Sequence, residues 1–357
     1  MSPPPTPLPR LPWLDRLLPL WILLAMAGGL LLGRMVPALQ SALGAVTVGG
    51  TSLPIALGLL LMMYPVLAKV RYGEMGHLGR DRRLLGLSLV LNWLLGPLLM
   101  FALAWCFLAD EPGLRTGIIV VGLARCIAMV LIWNDLACGD RETGALLVAI
   151  NSLFQILAYA LLGSFYLQIL PNWLGLESQS VRFSAGAISQ AVLIFLGLPL
   201  LAGALTRWWA LRFKGRRWLE HTLLPRVGPW ALYGLLFTIV VMFALQGQAI
   251  SADPWRVAGV AVPLLLYFLL MWGMAFGLGQ RAGLGYARTT ALAFTAAGNN
   301  FELAIAVSIG VWGVTSDQAL AGVIGPLIEV PALLVLVQVA LALRPRFPEP
   351  RPGSPGI

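Results

Sequence analysis

The stretch 122–140 is apolar enough to lie in a bilayer, yet it contains Arg125, Cys126, Asn134 and Asp135. A charged side chain at membrane depth costs at least about 2.5 kcal/mol even on the lenient insertion scales. A charged residue within a membrane span therefore usually has a functional role. Because soft thiolate sulfur selects soft metal or metalloid centres, the chemistry to consider first at this stretch is reversible binding of such a centre.

Cys126 has two interpretations on the residue alone. A free cysteine is most often a small buried apolar residue. The neighbouring Arg125 would favour the thiolate form, which would make Cys126 a soft ligand. Both interpretations stand at this point. Cys106 and Cys138 fall near the ends of apolar runs and have no polar neighbours, so we expect structural roles for them.

A second polar interruption of the same kind lies at 296–305, where Asn299, Asn300 and Glu302 follow Gly298. Glycine loosens a helix, and the amides can satisfy the backbone groups that this frees. Burial favours the neutral form of a carboxyl group, so Glu302 could carry a proton during a working cycle. Coordination of a cation by the oxygens of these three side chains is the competing functional interpretation, and a structural salt bridge is the third.

The composition indicates an integral membrane protein. Of 357 residues, 59% are hydrophobic and 11% are charged, whereas soluble domains carry about 25% charged residues. Most of the 24 Lys and Arg and 15 Asp and Glu fall in short loops between apolar runs, which predicts a lipid bilayer and no nucleic acid as partner. Both histidines, His77 and His221, lie in predicted loops, and no Walker loop is present. We therefore expect no catalytic residue, metal site or cofactor.

Ten stretches satisfy the requirement of about 20 mostly apolar residues for a spanning helix. With the N-terminus inside, 19 of the 24 Lys and Arg lie in cytoplasmic segments, four lie outside and one lies within a span. The positive-inside rule therefore predicts two cytoplasmic termini in the plasma (inner) membrane. The predicted spans are 17–36, 43–68, 84–108, 116–136, 144–170, 186–209, 228–248, 255–279, 288–311 and 318–343.

A weak internal repeat relates the two halves. A shift of 174 residues places Ala145 on Ala319 and Cys126 on Asn300, so the two polar interruptions coincide. Five helices per half is an odd number, so the second half must enter the membrane inverted. Inverted repeats place substrate sites near the midplane, at interrupted helices, which favours a transporter over an enzyme. The predicted division is a disordered cytoplasmic N-terminus (1–16), a first five-helix repeat (17–170), an extracytoplasmic linker (171–185), a second repeat (186–343) and a disordered cytoplasmic tail (344–357).

Further polar residues are predicted to support this core, with structural and functional roles equally open. Glu329 lies between two prolines in the last span, and its counterpart in the repeat is Gln155, which follows Asn151 by four residues. A guanidinium as deep as that of Arg125 needs a partner. Glu302 is the obvious candidate, but the sequence does not determine the pairing.

Three segments resemble the signature segments of arsenite efflux permeases of the arsenical-resistance family, which belongs to the bile acid:sodium symporter superfamily. These segments are 122–140, 297–306 and 325–331, and the resemblance extends over all ten predicted spans. It implies an all-α fold with a panel domain (spans 1, 2, 6 and 7) and a core domain (spans 3–5 and 8–10). It also implies that spans 4 and 9 break and cross.

The resemblance further implies export of trivalent arsenite, in some members antimonite, in exchange for protons. The critical cysteine of the family maps to Cys126 and its critical carboxylate to Glu302, and we expect Arg125, Asn299 and Asn300 beside the substrate. A sodium-coupled carrier for an organic anion, with the two asparagines and Glu302 as sodium ligands, is the second hypothesis. A membrane enzyme or sensor is the third, and it lacks catalytic groups.

Overall fold

The computed structural model describes residues 17–36, 38–39, 47–48, 51–69, 81–176 and 184–347, which are almost entirely helical. A short antiparallel pair, β1 (Thr47–Val48) and β2 (Thr51–Ser52), precedes the second helix. The helices are α1 (Leu18–Met35), α2 (Leu53–Lys69), α3 (Arg82–Phe107), α4 (Pro112–Leu123), α5 (Met129–Leu136), α6 (Arg141–Trp173), α7 (Ala185–Phe213), α8 (Arg216–Ala252), α9 (Pro254–Arg281), α10 (Gly285–Ala297), α11 (Phe301–Trp312) and α12 (Asp317–Leu343).

Seven of these helices (α1, α3, α6, α7, α8, α9 and α12) are long and apolar enough to cross a bilayer. Three shorter apolar helices, α2, α4 and α11, have 17, 12 and 12 residues. Leu157 and Leu161, one turn apart on α6, are 76% and 72% exposed, as expected of a surface that faces lipid. The chain is a multi-pass membrane protein.

Two groups of helices account for most of the packing. In the first, α8 packs against α1 and α2, and α2 packs against α7. In the second, α9 packs against α3, α10 and α12, and α12 also packs against α4 and α11. The first group contains the helices that the resemblance assigns to a panel domain, and the second contains helices that it assigns to a core domain.

Glycine allows α1 and α8 to approach closely. A Cβ atom on Gly29 would lie 2.6 Å from the carbonyl oxygen of Val240 and 2.7 Å from the Cβ of Phe243. A Cβ atom on the adjacent Gly28 would meet no atom within 4 Å. Small residues at helix contacts are a general device of membrane proteins, because packing must replace the hydrophobic effect between helices.

Gly29→Ala is therefore expected to lower the free energy of unfolding by about 1–3 kcal/mol, since α8 must move to admit the added methyl group. Gly28→Ala adds the same methyl group on the open side of α1 and is the matched control. Thermal unfolding of the purified protein in detergent compares the two variants. Equal Tm values would show that the α1–α8 contact does not depend on this close approach.

The fourth and ninth predicted spans are both interrupted. Helix α4 is followed by Ala124 in an extended conformation (φ −90°, ψ 116°), and α10 is followed by Gly298 in a similar one (φ −71°, ψ 139°). Helix α11 starts after Asn300, whose side chain accepts a hydrogen bond from the N–H of Leu303 at 3.0 Å. Asparagine is a preferred N-cap residue because it satisfies such a free donor.

The second span is shorter than the apolar run 43–68 predicts. Strands β1 and β2 pair with each other, and α2 begins only after them. The β-branched residues Thr47, Val48 and Thr51 favour extended backbone over helix. Because hydropathy treats these residues as compatible with a span, the prediction could not detect the change.

The gap between the predicted spans 186–209 and 228–248 is largely helical, because α7 continues to Phe213 and α8 begins at Arg216. Gly215 separates α7 from α8 with a φ of 82°, a left-handed conformation that glycine adopts without strain. Nε of Arg216 lies 2.8 Å from Oε1 of Glu220, one turn along the helix. Pairs at this spacing stabilise exposed helix, and hydropathy does not register them.

The C-terminal tail predicted as disordered is ordered as far as Phe347. A short 3-10 helix follows α12, and the Phe347 ring lies 5.6 Å from the Phe276 ring and 5.5 Å from the Tyr286 ring. Aromatic pairs at these separations are stabilising, and they hold the end of the chain against α9 and α10. Three predicted segments lie outside the described residues: 1–16, 348–357 and, in the linker, 177–183.

Candidate functional site at the helix crossing

Two antiparallel backbone segments cross where the fourth and ninth spans are interrupted. The N–H of Cys126 donates a hydrogen bond to the carbonyl of Gly298 at 3.2 Å, and the N–H of Asn300 donates to the carbonyl of Ala124 at 3.0 Å. The residues between these bonds face each other as an isolated antiparallel bridge. Non-helical backbone is tolerated at membrane depth only where the protein satisfies its polar groups, and this crossing does so.

Side chains from α6 and α12 satisfy the backbone at the centre of each segment. Oε1 of Gln155 accepts a hydrogen bond from the backbone N–H of Arg125, and Oε1 of Glu329 accepts one from the backbone N–H of Asn299 at 3.3 Å. Both side chains are fully buried. The two donors stand 174 positions apart, and so do the two acceptors. The two interruptions are therefore bonded in the same way.

The thiol of Cys126 lies at this crossing, and the residue is 5% exposed. A Cβ atom on Gly298 would lie only 3.0 Å from the Cβ of Cys126, so glycine provides the room for the cysteine side chain. The first turn of α5, with the backbone N–H groups of Met129 and Val130, lies close to the sulfur. The thiol thus lies between a glycine and the N-terminus of α5.

Two buried carboxyl groups lie near the thiol of Cys126. Glu302, in the first turn of α11, is 6% exposed, and Glu329 in α12 is fully buried. Both lie close enough to Cys126 for their charges to interact with it, and Glu302 interacts in the same way with Glu329. Oε2 of Glu329 has no hydrogen-bond partner among the described residues. The structure therefore brings a thiol and two carboxyl groups together in a buried site.

Amide groups add polar atoms to this site. Both side-chain polar atoms of Asn299, Nδ2 of Asn300 and Nε2 of Gln155 are buried, and none of them has a partner within the described part of the chain. Buried polar atoms are hydrogen-bonded in the great majority of cases. These atoms are consequently available to a small polar ligand at the crossing.

Arg125 and Glu302, the candidate ion pair that the sequence left open, do not form an ion pair in the structure. The guanidinium donates instead to the hydroxyl of Tyr267 at 2.8 Å, to the carbonyl of Ala296 at 3.3 Å and to the carbonyl of Gly122. The reason is that α4 and α10 both end at the crossing, and the last carbonyls of a helix have no partner within it. These carbonyls replace the carboxylate as acceptors.

Comparison with known proteins identifies the family. The profile of the Sodium Bile acid symporter family matches residues 56–253. The arsenical-resistance protein Acr3 of Corynebacterium glutamicum is 57% identical over 95% of this chain and 91% of its own length. The chain belongs to the arsenical-resistance family within the sodium bile acid symporter family. An uncharacterized transporter of Synechocystis sp. is 33% identical over 94% of this chain and 91% of its own length, and Acr3 of Alkaliphilus metalliredigens is 28% identical over 94% of each chain.

Other polar residues that the sequence singled out lie away from the crossing in this arsenical-resistance family member. Asp135 lies 2.6 Å from Nη2 of Arg141 in an ion pair at the end of α5. Oδ1 of Asn151 accepts a hydrogen bond from Nε1 of Trp93 at 3.2 Å. Asn151 therefore contacts α3, and only Gln155, one turn further along α6, reaches the interrupted backbone.

Tyr267 is a site residue that no sequence motif identified. It is fully buried in α9 and accepts the hydrogen bond from Arg125. A usable signal existed, because a single phenol within an apolar run needs a partner for its hydroxyl once it is buried. The two carbonyl acceptors of Arg125 carry no such signal, since every residue has a carbonyl.

Proposed function

We propose that the protein exports trivalent arsenite from the cytoplasm in exchange for protons, with the thiol of Cys126 as the metalloid ligand. The observation that carries the proposal is the burial of this thiol where the two interrupted spans cross, beside Glu302 and Glu329. The two relatives named as arsenical-resistance proteins support arsenite as the substrate. Antimonite has the same trivalent thiophilic chemistry, and we expect it as a second substrate.

The proposed binding step is a ligand exchange at arsenic, in which S–As and O–H bonds form and As–O and S–H bonds break. Arsenous acid is neutral at physiological pH, so charge attraction cannot provide its affinity. The sulfur of Cys126 forms a bond to arsenic while one As–OH bond breaks, and the hydroxyl leaves as water with the thiol proton. Arsenic stays trivalent, and the reverse step releases arsenous acid on the other side of the membrane. A single thiol suits a site that must release its load, because several sulfur ligands would hold arsenic too tightly.

The remaining hydroxyl groups of the bound arsenic need hydrogen-bond partners in the buried site. Asn299 and Asn300 offer both donors and an acceptor that have no other partner within the described residues. A ligand that engages them recovers hydrogen bonds that the empty amides lack. We assign these two asparagines to substrate orientation and Cys126 to selectivity.

Glu302 is the proposed proton carrier. A coupling ion can shift a carrier between inward and outward states only through different affinities in the two states. Glu302 stands in the first turn of α11, directly after the crossing, so a change in its charge acts on the backbone that the substrate contacts. Glu329 supports the same segment through the N–H of Asn299.

We further propose ten membrane crossings in two inverted five-helix repeats. Helices α4 and α5 together make one interrupted crossing, and α10 and α11 make the other. The shared spacing of 174 residues between corresponding hydrogen bonds supports the repeat. The distribution of Lys and Arg supports two cytoplasmic termini in the plasma membrane, and interrupted helices at a repeat interface suit alternating access.

Expression in bacterial cells that lack an arsenite exporter tests this function. The parent protein is expected to raise the arsenite concentration that halts growth and to lower the arsenic content of the cells, with no dependence on external sodium. Cells with the empty vector are the control. Sodium-dependent accumulation of an organic anion, with unchanged arsenic content, would instead support the sodium-coupled carrier.

A further inference from the structure

Arg125 is a buried cation that is neutralised by helix ends and not by a carboxylate. The residue is 0% exposed, and its guanidinium donates to two carbonyls and one phenol. Neither Glu302 nor Glu329 forms an ion pair with it. An unpaired charge at this depth is costly, so the groups around the guanidinium must stabilise it as a cation.

The two carbonyl acceptors occupy equivalent places in the two interrupted spans. Gly122 lies in the last turn of α4 and Ala296 in the last turn of α10, and they stand 174 positions apart. The C-terminal end of a helix carries partial negative charge and attracts cations. The residue 174 positions after Arg125 is Asn299, which is neutral, so one guanidinium serves both helix ends.

Residues of α3 and α9 pack closely around the guanidinium of Arg125. A Cβ atom on Gly96 in α3 would lie 2.9 Å from Nη1 of Arg125 and 3.2 Å from the hydroxyl oxygen of Tyr267. Any larger residue at position 96 would therefore displace the guanidinium from its acceptors. Tyr267 is itself 0% exposed, and its hydroxyl completes the set of acceptors from a third helix, α9.

We infer that Arg125 is a tethered cation, whose guanidinium holds the place between the ends of α4 and α10 that a coupling sodium ion would need. In transporters with interrupted helices, unwound carbonyls and the C-terminal ends of half-helices coordinate the coupling cation. A fixed positive charge at these carbonyls repels a second cation from them. Arg125 is therefore the residue that makes this member of a sodium symporter family independent of sodium, an inference that rests on the proposed transport function.

Thermal unfolding of the purified full-length protein tests the inference without any substrate. The parent is expected to show the same Tm in sodium chloride as in choline chloride at equal ionic strength. Arg125→Gln is expected to unfold several degrees lower, and about 50 mM sodium or guanidinium is expected to recover about half of the loss or more, since a ligand of the native state stabilises it. Tyr267→Phe removes one acceptor and keeps the cation, so its Tm is expected to be lower and unresponsive to sodium.

Two results would overturn the inference. One is a parent protein whose Tm rises in sodium relative to choline. The other is an Arg125→Gln variant that responds to sodium and guanidinium no more than to choline. If Arg125→Gln does not fold, Arg125→Lys retains a cation and is expected to be insensitive to sodium, and a sodium-stabilised Arg125→Lys would contradict the inference. If the Tm measurements contradict the inference about sodium, the proposal of arsenite export is unaffected. If the protein does not export arsenite, the Tm measurements still decide whether Arg125 excludes sodium.

Discussion

Cys126→Ser is expected to reduce arsenite uptake into everted membrane vesicles by about a hundredfold, which corresponds to roughly 2.7 kcal/mol of lost interaction. Serine is close to cysteine in size and polarity, and the residue is 5% exposed at a crossing held by backbone hydrogen bonds. The fold should therefore persist. What the substitution removes is a soft sulfur ligand, and hydroxyl oxygen does not replace sulfur for a soft centre.

The other two cysteines provide matched controls for this variant. Cys106 is exposed at the end of α3, and Cys138 is half-buried after α5. Serine at either position is expected to leave arsenite uptake within about twofold of the parent, a difference of roughly 0.4 kcal/mol. Normal uptake by Cys126→Ser, at equal protein levels in the membrane, would exclude the thiol as the metalloid ligand.

Glu302→Gln is expected to reduce strongly the uptake driven by a proton gradient, while arsenite still exchanges for arsenite across the membrane. Glutamine matches the size of glutamate, so the first turn of α11 should form, and Asn300 still caps it. A permanently neutral side chain cannot distinguish the protonated from the deprotonated state. A proton that does not bind one state of the transporter more tightly than the other cannot shift the equilibrium between inward and outward states.

Two transport assays on the same vesicles separate these effects. Net uptake under an imposed pH difference is expected to fall at least about tenfold, whereas exchange of labelled arsenite against unlabelled arsenite is expected to continue. Glu302→Asp keeps a carboxyl group on a shorter side chain and should retain part of the net uptake. Loss of both activities in Glu302→Gln would place Glu302 in substrate binding and not in coupling.

The candidate site residues could be selected from the sequence because polar residues are conspicuous in apolar runs. Cys126 and Glu302 interrupt apolar runs, and the shift of 174 residues aligns the two interruptions. The same shift pairs Gln155 with Glu329. In the structure these two side chains bond to equivalent backbone N–H groups. Sequence periodicity could therefore identify both the interruptions and the side chains that support them.

The partners of Arg125 could not be predicted from the sequence. Residue types indicated a carboxylate, and Glu302 was available, but the crossing creates helix ends whose carbonyls are better placed. Which backbone groups become free depends on where each helix stops, and hydropathy does not locate an interruption of three to five residues. The strand pair before α2 and the charged first turns of α8 were missed for a related reason, since hydropathy measures composition and not backbone conformation.

Arsenite uptake by the parent protein in everted vesicles, under imposed ion gradients, tests proton-coupled arsenite export most directly. A proton gradient, acidic inside, is expected to drive arsenite accumulation above its equilibrium level, and a sodium gradient of equal size, without a pH difference, is expected to drive none. Collapse of the pH gradient with an ionophore should release the accumulated arsenite. Accumulation that follows the sodium gradient and ignores the pH gradient would contradict the proposed mechanism.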